Sequence, residues 1–423
     1  MSIPITMTLA LRSLWARRYT ALLTILSIAT AVLLFLAVEN LRHSARASFE
    51  RTISGTDLIV GARSSPVNLV LYSVFQIGDP TNNITWETYE DIKARPDVKW
   101  AVPISLGDTH RGYRVVGTTT DYFERYKYAD NKSIDFKNGQ PFEDLFDTVL
   151  GAQVARELGY DMETTLTLSH GLGSISFVNH DKKPFRVAGI LEPTGTPVDR
   201  SVYVSVNAVE AIHAGWQDGT PTAMSRVITQ DRLRTLDIQP ESVTALLIGA
   251  TSRIQTLGLQ RDLNTYTQEP LQAVIPGVAL SQLWGTVSVV ERALAIVSGF
   301  VVAVGLIGVL TSILTTLNER RREMAVLRSV GARGRTIVGL LVSEAALIAF
   351  IGAVLGVILL YVLLWTIGPY LETRFSIGAI KKLPGITDAL VVIALTAIAA
   401  LLGLIPALVA LKRSVSDGLS TRV

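Results

Sequence analysis

The sequence predicts an α+β membrane protein with four transmembrane helices in a 1+3 layout and a large extracytoplasmic domain. Three observations carry that expectation. Four apolar stretches reach the roughly 20 residues a helix needs to cross hydrocarbon. Between the first and second lie 249 residues, 39–287, with the composition of an ordinary soluble domain. The chain as a whole is 49% hydrophobic and 18% charged with mean hydropathy +0.37, a balance that suits spans plus a large soluble part.

Taken in order, residues 1–19 form a basic N-terminus with Arg12, Arg17 and Arg18, followed by the first span at 20–38. The apolar run is too long for a signal-peptide core, and Glu39, Arg42 and Arg46 separate it from Ala45 and Ala47, so a signal anchor is expected. Helical spacing continues through Leu41, Ala45, Phe49 and Ile53, which predicts a stalk leaving the bilayer. The domain 39–287 then alternates elements. Strands are expected at Asp57–Gly61, Val98–Ile104, Val243–Ile248 and Leu271–Ile275, with helices at Trp86–Arg95, Ser252–Leu263 and from Leu280 onward. The middle, about 142–225, reads as a β-rich inserted subdomain. It has a helix at Leu150–Leu158, alternating runs at Thr165–Ser169, Ser174–Val178, Phe185–Leu191 and Val202–Val204, and polar loops at Gly171–Gly173 and Glu192–Asp199.

The second span covers 288–317, and its Leu294–Leu317 portion carries no charge. A short charged segment follows at 318–335, then the third span at 336–365, a loop at 366–388, the fourth span at 389–411 and a tail at 412–423. Basic residues flank one side of these spans: Arg12, Arg17 and Arg18, then Arg320, Arg321, Arg322 and Arg328, then Lys412 and Arg413. That asymmetry predicts both termini inside the cell and the large domain outside; Lys381 and Lys382 run against it but are outnumbered. The same arginines also suit a solvated loop that does nothing more than set topology.

Several chemistries find no support. The chain has no cysteine, which removes disulfides, thiol catalysis and cysteine–zinc sites. It contains no G-x-x-x-x-G-K-[ST] phosphate loop, no H-E-x-x-H and no G-x-S-x-G. The net charge of +3 is accounted for by the arginines beside the spans and does not call for nucleic acid. His43, His110, His170, His180 and His213 are scattered; His170 and His180 flank a turn, where a solvated pair is expected rather than a metal site. Asp121 and Asp199 stand in turns, where carboxylates bond the backbone. No catalytic, cofactor or metal residue is assigned.

The segments LALRSLWARRYTALLTILSIA (9–29), ERRREMAVLRSVGA (319–332), SEAALIAFIGAVLGVILL (343–360) and GLIPALVALKRSVSDGLS (403–420) carry a resemblance. With the looser match of 149–193, they make the chain similar to FtsX-like permeases of the type VII, or mechanotransmission, ABC transporter superfamily. It resembles the macrolide-exporter and lipoprotein-releasing permeases in particular. The resemblance implies a multi-pass protein of the bacterial inner membrane that works as a dimer, either with an identical copy or with a paralogue. ATP and Mg would be bound by a separate ABC ATP-binding subunit, with no cofactor in this chain, and a periplasmic adaptor or cargo protein would complete the partners. The coupling helix would be Glu319, Arg320, Arg321, Glu323, Met324, Ala325, Leu327, Arg328, Gly331 and Ala332, with Met324 and Leu327 filling a groove on the ATPase. Gly331 stands where a helix end takes a left-handed residue. Gly352 and Gly356, with Gly299, Gly305 and Gly308, would allow close helix approach, although glycine is also common in membrane helices. Glu344, an ionisable residue inside the third span, is the intramembrane candidate, with a structural role at a helix junction expected.

Three function classes remain at this level. They are an ATP-driven permease that exports, extracts or releases a substrate outside the membrane, a sensing complex of the same architecture, and an anchored extracytoplasmic enzyme. The missing catalytic constellation counts against the third.

Overall fold

The structure is a computed structural model. It describes residues 15, 17–170, 178–179, 183–217, 220–222, 228–319, 324, 326, 328–375 and 383–412. The chain divides into two units, one of 1–43, 288–370 and 380–423, the other of 44–287 and 371–379. Four helices are long and apolar enough to cross a membrane: Arg18–Ser44, Pro276–Thr315, Gly334–Gly368 and Ile386–Leu411.

The second unit is built on one sheet, twelve-stranded among the described residues. Its strands are β1 (Leu58–Ala62), β2 (Val98–His110), β3 (Tyr113–Thr118), β4 (Phe136–Gly139), β5 (Asp147–Leu150), β6 (Thr165–Leu166), β7 (Ser169–His170), β8 (Val178–Asn179), β9 (Phe185–Leu191), β10 (Ser201–Ser205), β11 (Ala245–Ala250) and β12 (Leu271–Val274). The order is β12-β1-β11-β2-β3-β10-β5-β9-β4, with β7 and β8 joining at the end of β2 and β6 joining β9. Strand β1 is buried at all five positions, so it reads as a continuous apolar run rather than an alternating one.

Strand β2 holds the sheet together. Its first half, Val98–Ile104, pairs antiparallel with β11, and its second half, Ser105–His110, with β3. The pairing with β3 slips between Leu106 and Thr109, a β-bulge where an extra residue enters one strand. The stretch expected as an inserted subdomain therefore continues the same sheet. Strand β10 lies parallel to β3, from Ser201 opposite Arg114 to Ser205 opposite Thr118, and carries β5 and β9 beyond it. Strand alternation could suggest a β-rich segment there, but the partner of each strand is a long-range fact. One hydrophobic cluster lines a whole face of the sheet, from Ile59 and Leu247 through Val102 and Val116 to Tyr203 and Leu191. On the other face two clusters form, one around Leu58, Val60 and Ile248, the other around Val115, Val202 and Phe185.

Helices cover both faces. Pro66–Ser73 (which begins with a proline, suited to a helix's first turn) packs Leu69 and Tyr72 on the shared cluster. Trp86–Lys93, capped by Thr85 Oγ1, and Arg253–Asn264, capped by Ser252, cover the first half of the opposite face with Tyr89, Ile92, Leu259 and Leu263. Ala152–Leu158 and Val206–His213, the latter capped by Ser205, cover the rest with Val154, Ala211 and Ile212.

Two helices extend well past their spans. We call them α1 (Arg18–Thr52) and α2 (Pro276–Glu319). At 1.5 Å per residue the second is about 66 Å long, twice the hydrocarbon thickness. The third span belongs to α3 (Gly334–Phe375). The fourth, expected as one helix, breaks into α4 (Ile386–Leu402) and α5 (Leu404–Lys412). The reason is Pro406, which has no N–H to return to the carbonyl of Leu402.

Within the membrane unit, α1 and α3 meet at small residues. A Cβ on Gly352 would stand 2.8 Å from Ile28 Cβ, and one on Gly356 would stand 2.7 Å from the Ala29 carbonyl. Gly305 makes only an ordinary contact with Ala31, and nothing lies within 4 Å of a Cβ on Gly299 or Gly308. So Gly356→Ala is expected to destabilise by about 1–3 kcal/mol through overpacking, whereas Gly308→Ala should be neutral or slightly stabilising. Thermal unfolding of the detergent-solubilised chain distinguishes them; equal effects at both positions would remove the close approach as the cause.

Candidate coupling site

The segment between α2 and α3 ends in a left-handed turn. Helical residues are described at Met324, Val326, Arg328 and Ser329, and Gly331 closes the segment at φ +96°, with its N–H donating to the Arg328 carbonyl at 3.0 Å. Arg320, Arg321, Arg322, Glu323, Ala325 and Leu327 lie outside the described residues. Glu319 ends α2, and Ala332 leads toward α3.

Met324 does not point away from the bundle. It is half-buried and packs against the membrane cluster of Val309, Ile313, Leu317 and Ile337. An apolar side chain beside an apolar bundle gains by packing against it. Among the described residues of the segment, the exposed apolar ones are Val326 and Val330, at i and i+4, 49% and 83% exposed. Helical spacing places this pair on one side of the segment. Arg328 is half-buried and donates from Nη2 to the Leu411 carbonyl at 3.4 Å, which ties the segment to the end of α5. Beside it, Arg333, Arg335, Val338, Leu404 and Leu411 line a groove of about 660 Å³.

Glu344 is 5% exposed and lies on α3 among Leu341, Ala345 and Ile348, which are also buried; it is in polar or electrostatic contact with its surroundings. Two further polar ties in the membrane unit were not anticipated. Tyr361 on α3 donates its hydroxyl to Asp388 Oδ2 at 2.6 Å, and the same oxygen accepts from the Gly385 N–H at 2.8 Å. Asp388 thereby satisfies an end N–H of α4 and holds α3 at once. An acid three residues after a helix-starting glycine was the available signal. At the other tie, Glu39 Oε1 accepts from Arg42 at 2.6 Å and faces His43 at 2.9 Å, and Arg42 also reaches Glu291 on α2 at 4.0 Å.

In the α+β unit the Glu192–Asp199 loop is pinned. Asp199 is 6% exposed and accepts from the Thr194 and Gly195 N–H groups at 2.8 and 2.7 Å and from the Thr194 hydroxyl. Burial nevertheless holds its carboxyl above the usual range. Gly171–Gly173 and His180 lie outside the described residues. His110 is buried, with Nδ1 at 2.7 Å from the Thr167 carbonyl and Nε2 at 2.9 Å from the Tyr160 hydroxyl; burial lowers its pKa and keeps it neutral. Beneath Tyr160 a cleft of about 540 Å³ is lined by Lys137, Arg156, Asp161, Met162 and Glu163. Among the described residues no three metal-ligating side chains come together.

Comparison with known proteins gives the following. The MacB-like periplasmic core domain family matches residues 20–255, and the FtsX-like permease C-terminal family matches 295–417. The macrolide export ATP-binding/permease protein MacB of Acinetobacter baylyi is 25% identical over 369 residues, covering 83% of this chain and 50% of its own length. An uncharacterized ABC transporter permease of Methanocaldococcus jannaschii is 23% identical over 364 residues, covering 83% of this chain and 82% of its own. The periplasmic region of MacB from Actinobacillus actinomycetemcomitans aligns with 55% of this chain and 94% of its own, at 10% identity and TM-score 0.34. The chain spans about half the length of the macrolide export protein from Acinetobacter.

The Tyr361–Asp388 bond yields a test of its own. Tyr361→Phe should destabilise the chain by about 1.5–3 kcal/mol, the range for a hydrogen bond to a charged group. It should have little further effect once Asp388 is Ala. Additive losses in thermal unfolding would show that the two side chains do not act through one bond.

Proposed function

Since the chain belongs to the MacB-like periplasmic core domain family and carries an FtsX-like permease region, we propose that it is the permease of an ATP-binding cassette assembly. In this reading it transmits ATP-driven movement at the cytoplasmic face to its periplasmic domain, for the export, extraction or release of a substrate. A separate subunit binds ATP and Mg and docks on the segment 319–332. Both termini are cytoplasmic, and a second permease copy completes the complex.

The observation that carries the reading is the continuity of α1 and α2. Each is a single helix that contributes to two hydrophobic cores: Phe49 and Leu280 to that of the α+β unit, Ile28 and Val309 to that of the membrane bundle. In this reading a displacement at one end of such a helix would be passed along it to the other. The buried polar side chains of the spans, among the described residues, are Thr24, Ser298, Glu344 and Asp388.

Docking on the ATPase then uses the exposed pair Val326 and Val330, with Arg328 fixing the segment to α5. Val326→Asp and Val330→Asp should each weaken co-purification of the ATP-binding subunit at least about tenfold, equivalent to about 1.4 kcal/mol, without loss of membrane insertion. The isolated chain should hydrolyse no ATP; robust hydrolysis by it alone would overturn the assignment.

The second copy meets the chain along α2. Val297, Phe300, Val304 and Ile307 are 57–69% exposed, whereas Val309 and Ile313 are buried within the protomer. The chain has no cysteine, so single cysteines report cleanly. Cross-links between copies are expected at Phe300, Val304 and Ile307 and not at Val309 or Ile313. Cross-linking at every position, or at none, places the dimer contact elsewhere.

A further inference from the structure

The groove at the start of α3 carries charge of the wrong sign for its position. Arg333 stands at the helix entry, its carbonyl accepting from the Thr336 N–H at 2.9 Å, and Arg335 lies in the first turn. That turn contains no acidic residue. A helix start is the positive end of the backbone dipole, so carboxylates are favoured there and two arginines are not. Both side chains are exposed, and no carboxylate lines the groove among the described residues.

Arginines beside a span are common on the basic side of a membrane protein. What distinguishes this pair is the apolar channel that leads away from it. Val338 and Val342 on α3 form one wall, and Leu404 and Leu411 on α5 form the other. Val342 is eight residues past Gly334, about 12 Å along the helix. The hydrocarbon of one leaflet is roughly 15 Å deep. Close contacts fix the two walls at both ends of the channel. A Cβ on Gly334 would stand 2.9 Å from Leu411 Cδ2, and one on Gly403 would stand 3.2 Å from Val342 Cα. The space between is about 660 Å³, within the range of small-ligand sites.

Cations at the mouth and apolar walls behind them match a molecule with an anionic head and a hydrocarbon tail. We propose that the groove holds one anionic phospholipid of the surrounding bilayer. Its phosphate lies between Arg333 and Arg335, whose guanidinium forks suit phosphate oxygens. One acyl chain runs along Val338, Val342 and Leu404, where alkyl groups are favoured over water. Basic pockets between membrane helices hold lipid headgroups by this combination. Leu411 both lines the groove and accepts from Arg328, so the lipid would help fasten the segment before Gly331 to the bundle. The site needs α3 to cross a bilayer and requires nothing of the ATP-binding partner.

The experiment adds phosphatidylglycerol, phosphatidylcholine or inorganic phosphate to the full chain in detergent, read by native mass spectrometry and thermal unfolding. One phosphatidylglycerol per chain should be retained and should raise the melting temperature; the other two should do neither. Arg333→Gln and Arg335→Gln should each weaken retention about fivefold, the worth of one basic residue near a membrane surface. Arg253→Gln, on the α+β unit, should leave it unchanged. Leu404→Trp, which fills the channel, should weaken retention with both arginines intact; if that variant does not fold, the arginine variants still decide. Equal retention of the two lipids, or retention indifferent to both arginines, would overturn the proposal. So would equal stabilisation by inorganic phosphate, which would mark a site for the headgroup charge alone. Stronger lipid retention after removal of residues 413–423 would give the groove to the tail instead. Loss of the ATP-binding subunit from the arginine variants, with lipid retention unchanged, would give it to that partner.

Discussion

Strand β2 is the constraint on which the rest of the soluble unit depends. It is thirteen residues long, and each half answers to a different neighbour, β11 first and β3 afterwards. Because side chains alternate across a strand, a slip of one residue in either half would turn a buried set outward. The two halves therefore fix one another's register. The ladder yields once in each half, opposite Gly249 and Ala250 at the start of the strand and between Leu106 and Thr109 near its end. The cluster from Ile59 to Leu191 runs unbroken along one face of that sheet, whereas the other face carries two clusters.

The membrane unit relies on a different economy. Hydrophobicity does little to bring apolar helices together in lipid, so close packing and scattered polar bonds decide the arrangement. Gly352 and Gly356 permit the approach of α1 and α3. Tyr361 and Asp388 join α3 to α4, and Arg42 with Glu291 joins α1 to α2. Gly403 lets the broken fourth span close on Ala345, where a Cβ would stand 2.9 Å away.

Much of this was legible beforehand. The four apolar helices and the α+β class follow from hydropathy and from the alternation of elements, and those signals are local. The strands at 58–62, 185–191 and 201–205 and the helices at 86–93 and 253–264 were recognisable from period and caps. The helix Pro66–Ser73 was passed over because its PVNLVLYS run lacks a polar face; both sides of it are covered. Strand β3 escaped for a related reason, since YRVVGT is short and follows a tight turn at Arg111 and Gly112, both at positive φ. At the candidate site, Gly331 was readable from its position, but the direction of Met324 was not. A helical pattern says which residues share a face and is silent on which face meets the bundle, so Val326 and Val330 emerged only from the packing.

The placement of β1 also governs how the chain is made. Leu58–Ala62 emerges from the ribosome early, yet both of its partners, β11 and β12, come near residues 245–274. Until then β1 is an apolar strand with two open edges, the form most prone to pair with a neighbouring chain. Non-local closure of this kind is slow, because the loop must be gathered before any contact rewards it. The first span is made before β1, and so the strand is tied to the bilayer while the sheet is incomplete. An anchor at the start of the chain thus serves biogenesis as well as the finished molecule.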